Sequence, residues 1–190
     1  MRHWYHTILF LFFLIPIRTT AQKIAIKTNL LMDGAMAPNL GLEVVTGERT
    51  SLELDLGETK NPWWATEGKA LFIQPEYRYW FNGRPMTRQY VGLGLIGAHY
   101  DLTFGSEHHH GNAVGAGLTV GYDVMLGKRL VLDCFGSVGA IYYKQRQFYA
   151  TDHGADNVDD WYADGGSHNN ATGYLLSPVK IGIAISYILK

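Results

Sequence analysis

From Ile24 to Leu189 the chain changes character at every second residue along most of its length, and it nowhere sustains a helical period. Successive side chains of a strand point to opposite faces, so this alternation predicts strands. Eight segments carry it: Ile24–Leu31, Asn39–Val45, Ser51–Leu56, Leu71–Phe81, Gln89–Thr103, Ala113–Leu126, Leu130–Tyr143 and Val179–Leu189. The fourth has the strongest contrast. Ile73, Pro75, Tyr77, Tyr79 and Phe81 share one face, while Gln74, Glu76 and Arg78 occupy the other, with Trp80 at its end.

The links between segments differ in length. Those after the second, fourth and sixth segments are short, with Thr46-Gly47-Glu48-Arg49, Asn82-Gly83 and Gly127-Lys128 as turns. Asn-Gly is a strong hairpin signal because both residues tolerate positive φ. Gly57–Lys69, Phe104–Asn112 and Ala150–Thr172 are long, and Met32–Pro38 is intermediate. Short links on one rim and long links on the other, around an even number of strands, predict an all-β fold. The expected form is an eight-stranded antiparallel up-and-down transmembrane β-barrel with short periplasmic turns and longer external loops.

Glycine sets which face points inward. Gly92, Gly94, Gly115, Gly117, Gly121, Gly139 and Gly182 mostly oppose the long apolar side chains. An eight-stranded barrel has little interior volume, so the glycine face is expected inside and the Val, Ile, Leu and Tyr face outside, in lipid. The alternative, a soluble lipocalin-like ligand-binding barrel, would reverse these faces. With glycine inside, the interior receives Lys27, Glu43, Glu53, Asp55, Glu76, Arg78, Asp123, Asp133 and Lys180. Buried charges must pair or meet water, so a structural network of salt bridges centred on Arg78 is expected, filling the lumen and fixing strand register.

Composition adds an address. Arg2 and His3 precede the apolar run Ile8–Ile17, and Thr19-Thr20-Ala21 follows. The run is shorter than the roughly 20 residues a spanning helix needs and fits a signal peptide. Residues 1–21 are expected to be a cleaved signal peptide and 22–190 the barrel domain, placed in the outer membrane of a Gram-negative bacterium. Sixteen Lys and Arg against 17 Asp and Glu leave no basic field for nucleic acid. The single cysteine, Cys134, cannot form an internal disulfide and reads as a small apolar filler.

Several groups invite chemistry. His108, His109 and His110 resemble metal ligands, but three successive imidazoles rarely converge on one ion, and a solvated loop is expected. Asp152, Asp156, Asp159, Asp160 and Asp164 could offer oxygens to calcium, without the spacing of a known calcium loop. Pro62-Trp63-Trp64 suits a membrane interface. Tyr79, Trp80, Phe81 and Tyr187 are assigned to a periplasmic aromatic girdle, and Tyr100, Phe104 and Tyr142 to an outer one. His99 and Asp101, with Ser106 nearby, raise a lipid-modifying outer-membrane enzyme as an alternative, although no motif fixes a nucleophile, base and acid within reach. No catalytic residue, cofactor or metal is assigned.

Taken together, Lys27-Thr28-Asn29-Leu30-Leu31 with Asp33, Pro38-Asn39-Leu40-Gly41 with Glu43, Gln74-Pro75-Glu76 with Arg78-Tyr79-Trp80-Phe81, Gly121-Tyr122 and Leu126-Gly127-Lys128-Arg129 resemble a family of small exported Bacteroidota proteins. That family is catalogued only as a domain of unknown function. The resemblance covers nearly the whole mature chain. It implies an outer-membrane barrel, sometimes encoded near fimbrial genes, without established catalysis. The expected function is accordingly non-enzymatic, with outer-membrane lipid and a fimbrial or other surface protein as expected partners. Lys190 stands where such barrels commonly end in an aromatic residue, so assembly would rely on Tyr187.

Overall fold

Alternation becomes a closed sheet. In a computed structural model describing residues 23–61, 65, 67–104, 107–149 and 171–189, eight strands follow in order: β1 (Ile24–Asn29), β2 (Asn39–Val45), β3 (Thr50–Lys60), β4 (Glu67–Trp80), β5 (Arg88–Phe104), β6 (Glu107–Met125), β7 (Leu130–Tyr149) and β8 (Ala171–Ile188). Each pairs antiparallel with its neighbours in sequence. The ring closes where β1 pairs with β8, from Ala25↔Ile188 to Asn29↔Ala184. Where the ring is complete it has no edge, so the backbone groups that an open sheet would leave unpaired are satisfied there. One bulge, at Ser137/Val138, interrupts the β7–β8 ladder.

Strand lengths rise from six and seven residues in β1 and β2 to 20 in β7. The wall is therefore low on one side and tall on the other. This differs from the expected loops. Phe104–Asn112 is not a long loop, because β5 and β6 continue as one ladder to Phe104↔Glu107, leaving only residues 105–106 as the link. Polar His108-His109-His110-Gly111-Asn112 lack hydrophobic alternation, yet a strand above an apolar band has no need of it. Likewise β3 runs on to Lys60, and residues 61–66 suffice to reach β4. Residues 150–170 lie outside the described residues.

Two smaller departures have local causes. The first strand stops at Asn29, whose side-chain oxygen accepts from Leu31 N–H at 3.1 Å and caps a short helix, α1 (Leu30–Gly34). Asp33 holds that turn by accepting from Thr28 Oγ1 at 2.7 Å and Asn39 Nδ2 at 3.0 Å. Asn82-Gly83 does not make a two-residue hairpin: the link runs through residues 81–87, and Met86 adopts φ 62° and is buried.

The two faces differ as the parity requires. Outward side chains include Leu52, Leu54, Leu56, Leu93, Leu118 and Val120, all more than a third exposed. Inward lie small residues, aromatics and charges. Among the described residues no helix is long and apolar enough to cross a membrane, which says nothing of strands.

Candidate functional site: an ion-paired interior

All nine charged residues assigned to the interior are buried there. Arg78, on β4, is the hub. Its Nε donates to Glu76 Oε1 at 2.6 Å, and Nη1 donates to Glu43 Oε2 and Asp133 Oδ2, both at 3.2 Å. Nη2 lies 2.6 Å from Glu53 Oε2 in an ion contact, although its N–H groups are not aimed for a hydrogen bond. A guanidinium suits this position because its planar fork offers five donors in fixed directions. Its carbon also sits 4.3 Å from the centre of the Tyr90 ring, a cation–π contact.

Two lysines complete the neutralisation. Lys27 Nζ contacts Glu53 Oε2 and Asp133 Oδ2 at 2.7 Å each. Lys180 Nζ reaches Glu53 Oε1 and Asp55 Oδ2 at 2.5 Å, and Glu76 Oε2 at 3.7 Å. The two ammonium groups lie 5.3 and 5.0 Å from the Phe135 ring centre. Glu53 consequently touches all three cations, and β1, β2, β3, β4, β7 and β8 are tied together through charge alone.

Neutral donors take up remaining carboxylate oxygens. Tyr90 Oη donates to Asp133 at 3.0 Å, Thr119 Oγ1 to Glu76 at 2.7 Å, and Ser51 Oγ to Glu43 at 2.6 Å. Trp80 Nε1 donates to Ser51 Oγ at 2.9 Å. These satisfy lone pairs that the cations miss, which buried ions require. Glycine makes the room: a Cβ on Gly121 would collide with the Tyr90 ring, and one on Gly92 would lie 2.9 Å from Glu76.

Asp123 stands apart. It is 4% exposed and directly opposite Asp133, and its Oδ1 has no hydrogen-bond partner. The interior thus sets six carboxylates (Glu43, Glu53, Asp55, Glu76, Asp123 and Asp133) against three cations. Beside Glu76, Thr119 and Lys180 remains a void of about 10 Å³, at the limit for a single water. Below the charges, Met86, Ala25, Val131 and Ile188 form an apolar cluster beside Val45 and close the rim that carries the 81–87 link. Such an interior links the strands around it through side-chain contacts across the ring.

Other candidates are placed differently. Trp80 is fully buried within the ring rather than in a girdle, because it shares parity with Arg78. Tyr100 also turns inward, on the parity of Gly92 and Gly94, close to the position a Gly111 Cβ would take. Tyr79, Phe81, Tyr142 and Tyr187 face outward and are exposed. Cys134 is exposed on the outer face.

His108–His110 belong to β6, not to a loop, and on a strand the imidazoles of His109 and His110 point to opposite faces. Among the described residues no three His, Cys, Asp or Glu side chains are arranged to hold a metal. His99 Nδ1 is 2.8 Å from Asn112 Oδ1, and Asp101 lies 3.7 Å from His110 Nδ1, so His99 and Asp101 serve different partners. Ser106, Trp63, Trp64, Asp152, Asp156, Asp159, Asp160 and Asp164 lie outside the described residues. Sequence reasoning missed Tyr90, Ser51, Thr119 and Phe135 as members of the network. Their parity with Gly92, Glu53, Gly121 and Asp133 was the available signal.

Fold and interior together define an all-β protein whose closed antiparallel ring is filled by ion pairs and coated with apolar side chains. The sequence profile of the family described as "Protein of unknown function (DUF3575)" matches residues 7–189, and the chain belongs to that family. No curated protein and no solved structure matches it.

Proposed function

We propose that the chain is a non-enzymatic outer-membrane β-barrel protein of a Gram-negative bacterium, with a structural or surface-interaction role linked to fimbriae. The observation that carries this reading is the outer face. Its apolar side chains end along one row of the ladder, where Glu58, Leu71, His99, Asn112, Lys144 and Thr172 are successive partners across six strands. Below that row on β6, outward residues from Val114 to Val124 are apolar without exception. That span is roughly 34 Å along the strand at ~3.4 Å per residue, or roughly 26 Å high at a tilt of about 40°. The hydrocarbon band of an outer-membrane barrel has this height.

Water would not tolerate such a surface on a monomer, since contiguous apolar patches are rarely larger than a few hundred Å². A lipocalin-like arrangement would need the apolar face inside, where charges stand instead. Acid–base chemistry finds little support in His99 and Asp101, which face outward and pair elsewhere.

The test is fractionation of cells expressing the protein. It should remain in outer membranes through an alkaline carbonate wash and migrate faster unboiled than boiled on a gel. Recovery in the soluble periplasm would overturn the reading. Lipid A mass spectra should be unchanged by expression. For the fimbrial link, a pull-down from native membranes should recover a fimbrial subunit, and its repeated absence would remove that partner while leaving the barrel intact.

A further inference from the structure

The geometry points to a binding site for a single anionic lipid on the outer face of β4–β8, with part of an acyl chain in a groove and a phosphate-bearing headgroup against Lys144. This rests on the membrane reading above. Two successive rows of the ladder line the groove: Ile73, Gly97, Val114, Tyr142 and Tyr174, then Pro75, Leu95 and Ala140. Ile73, Pro75 and Leu95 form one wall. Tyr142 and Tyr174, with ring centres 5.1 Å apart, form the other.

Small residues make the floor. A Cβ on Gly97 would already lie 3.3 Å from Ile73, so any larger residue there would fill the depression. The groove measures about 540 Å³, within the range of small-ligand clefts, and it opens sideways toward the bilayer.

Charge fixes the class of lipid. The next row toward the polar rim places His99 above Gly97, Asn112 above Val114 and Lys144 above Tyr142. That row holds one cation and no carboxylate from β4 to β8, and Lys144 has no ion-pair partner among the described residues. Asp101, one row further out, faces His110 at 3.7 Å. An ammonium at the end of an apolar groove is complementary to a phosphate esterified to an acyl lipid, and it offers nothing special to a zwitterionic one.

Native mass spectrometry of the full-length protein in mild detergent, with phosphatidylglycerol and phosphatidylcholine as probes, tests this. Wild type should retain one phosphatidylglycerol in preference to phosphatidylcholine. Lys144→Gln should weaken phosphatidylglycerol retention roughly fivefold, the effect of one lysine at a lipid surface, and leave phosphatidylcholine unaffected. Gly97→Leu should lose retention of both, and Ala140→Leu provides a second filling variant should the first misfold. Equal retention of the two probes, or no response to Lys144→Gln, would overturn the site while the boiled and unboiled gel shift persisted. Loss of that shift in wild type would overturn the membrane reading and the site together.

Discussion

Around Arg78 all eight strands enclose the interior, whereas beyond Tyr143 the wall comes from β3–β8 alone, since β1 and β2 have already ended at Asn29 and Asn39. The chemistry changes with the enclosure. The first region holds Lys27, Glu43, Glu53, Glu76, Arg78 and Asp133, all at most 4% exposed. The second turns Ile96, Ala98, Ala113, Ile141, Tyr143 and Leu175 inward and presents no charge among these positions. A buried ion needs partners from several directions at once, and only a complete ring supplies them. Charge in this protein thus marks where the wall is closed.

Arg78→Ala should break the enclosed region most severely. It strands Glu43, Glu53, Glu76 and Asp133 without their shared partner, and removal of one member of a buried ion pair costs about 3–5 kcal/mol. The measurement is the urea midpoint in lipid vesicles or the heating temperature at which the gel shift disappears. Arg78→Lys should rescue little, because an ammonium cannot reproduce the fork. An unaltered profile for Arg78→Ala would show that the network is centred elsewhere.

Met86→Ala comes next, probing the floor under the same region. Met86 is 2% exposed and packs on Ala25, Val131 and Ile188. Truncation of a buried methionine costs about 2–5 kcal/mol, and the lower end is expected at a rim where water can enter the gap. An unchanged unfolding midpoint would mean that the 81–87 link does not close the ring.

How much of this could be read from the chain follows from the same contrast. In the enclosed region every strand alternates charge or glycine against bulky apolar residues, so parity alone placed all nine interior charges. Met86 was hidden because Asn82-Gly83 suggested a tight hairpin, and the apolar pair Pro85-Met86 within a polar link was its only trace. Trp80 was hidden by its character: tryptophan suits a membrane interface, and its parity with Arg78 carried the better information. In the tall region the alternation fades at His108–Asn112 and again beyond Tyr143, where the sequence carries no continuing apolar face. Hydrophobic pattern cannot report a strand that has no apolar side, and the extra length of β6 and β7 was invisible for that reason.

Asp123→Asn sharpens the comparison from within the enclosed region. Asp123 faces Asp133 across the ladder and has an unpartnered oxygen, so replacing it removes a buried acid that no cation pairs and breaks none of the network's ion pairs. A gain of up to about 1 kcal/mol in unfolding free energy is expected, in the range of ordinary single substitutions. Asp133→Asn, which loses contacts to Lys27, Arg78 and Tyr90, should move in the opposite direction. If both variants destabilised equally, Asp123 would belong to the network after all.

The smallest effect is expected from Leu175→Ser in the tall region. Leu175 lies opposite Ile141 on the inward side, yet it is 52% exposed, so little apolar area leaves its neighbours when it is truncated. A change within about 0.5 kcal/mol is expected, as for surface substitutions away from packed features. Measured beside Arg78→Ala in the same vesicles, it tests whether the two halves differ in kind. A cost of several kcal/mol would mean that the tall region is packed as tightly as the enclosed one. The absence of charge there would then reflect an apolar core and not an incomplete wall.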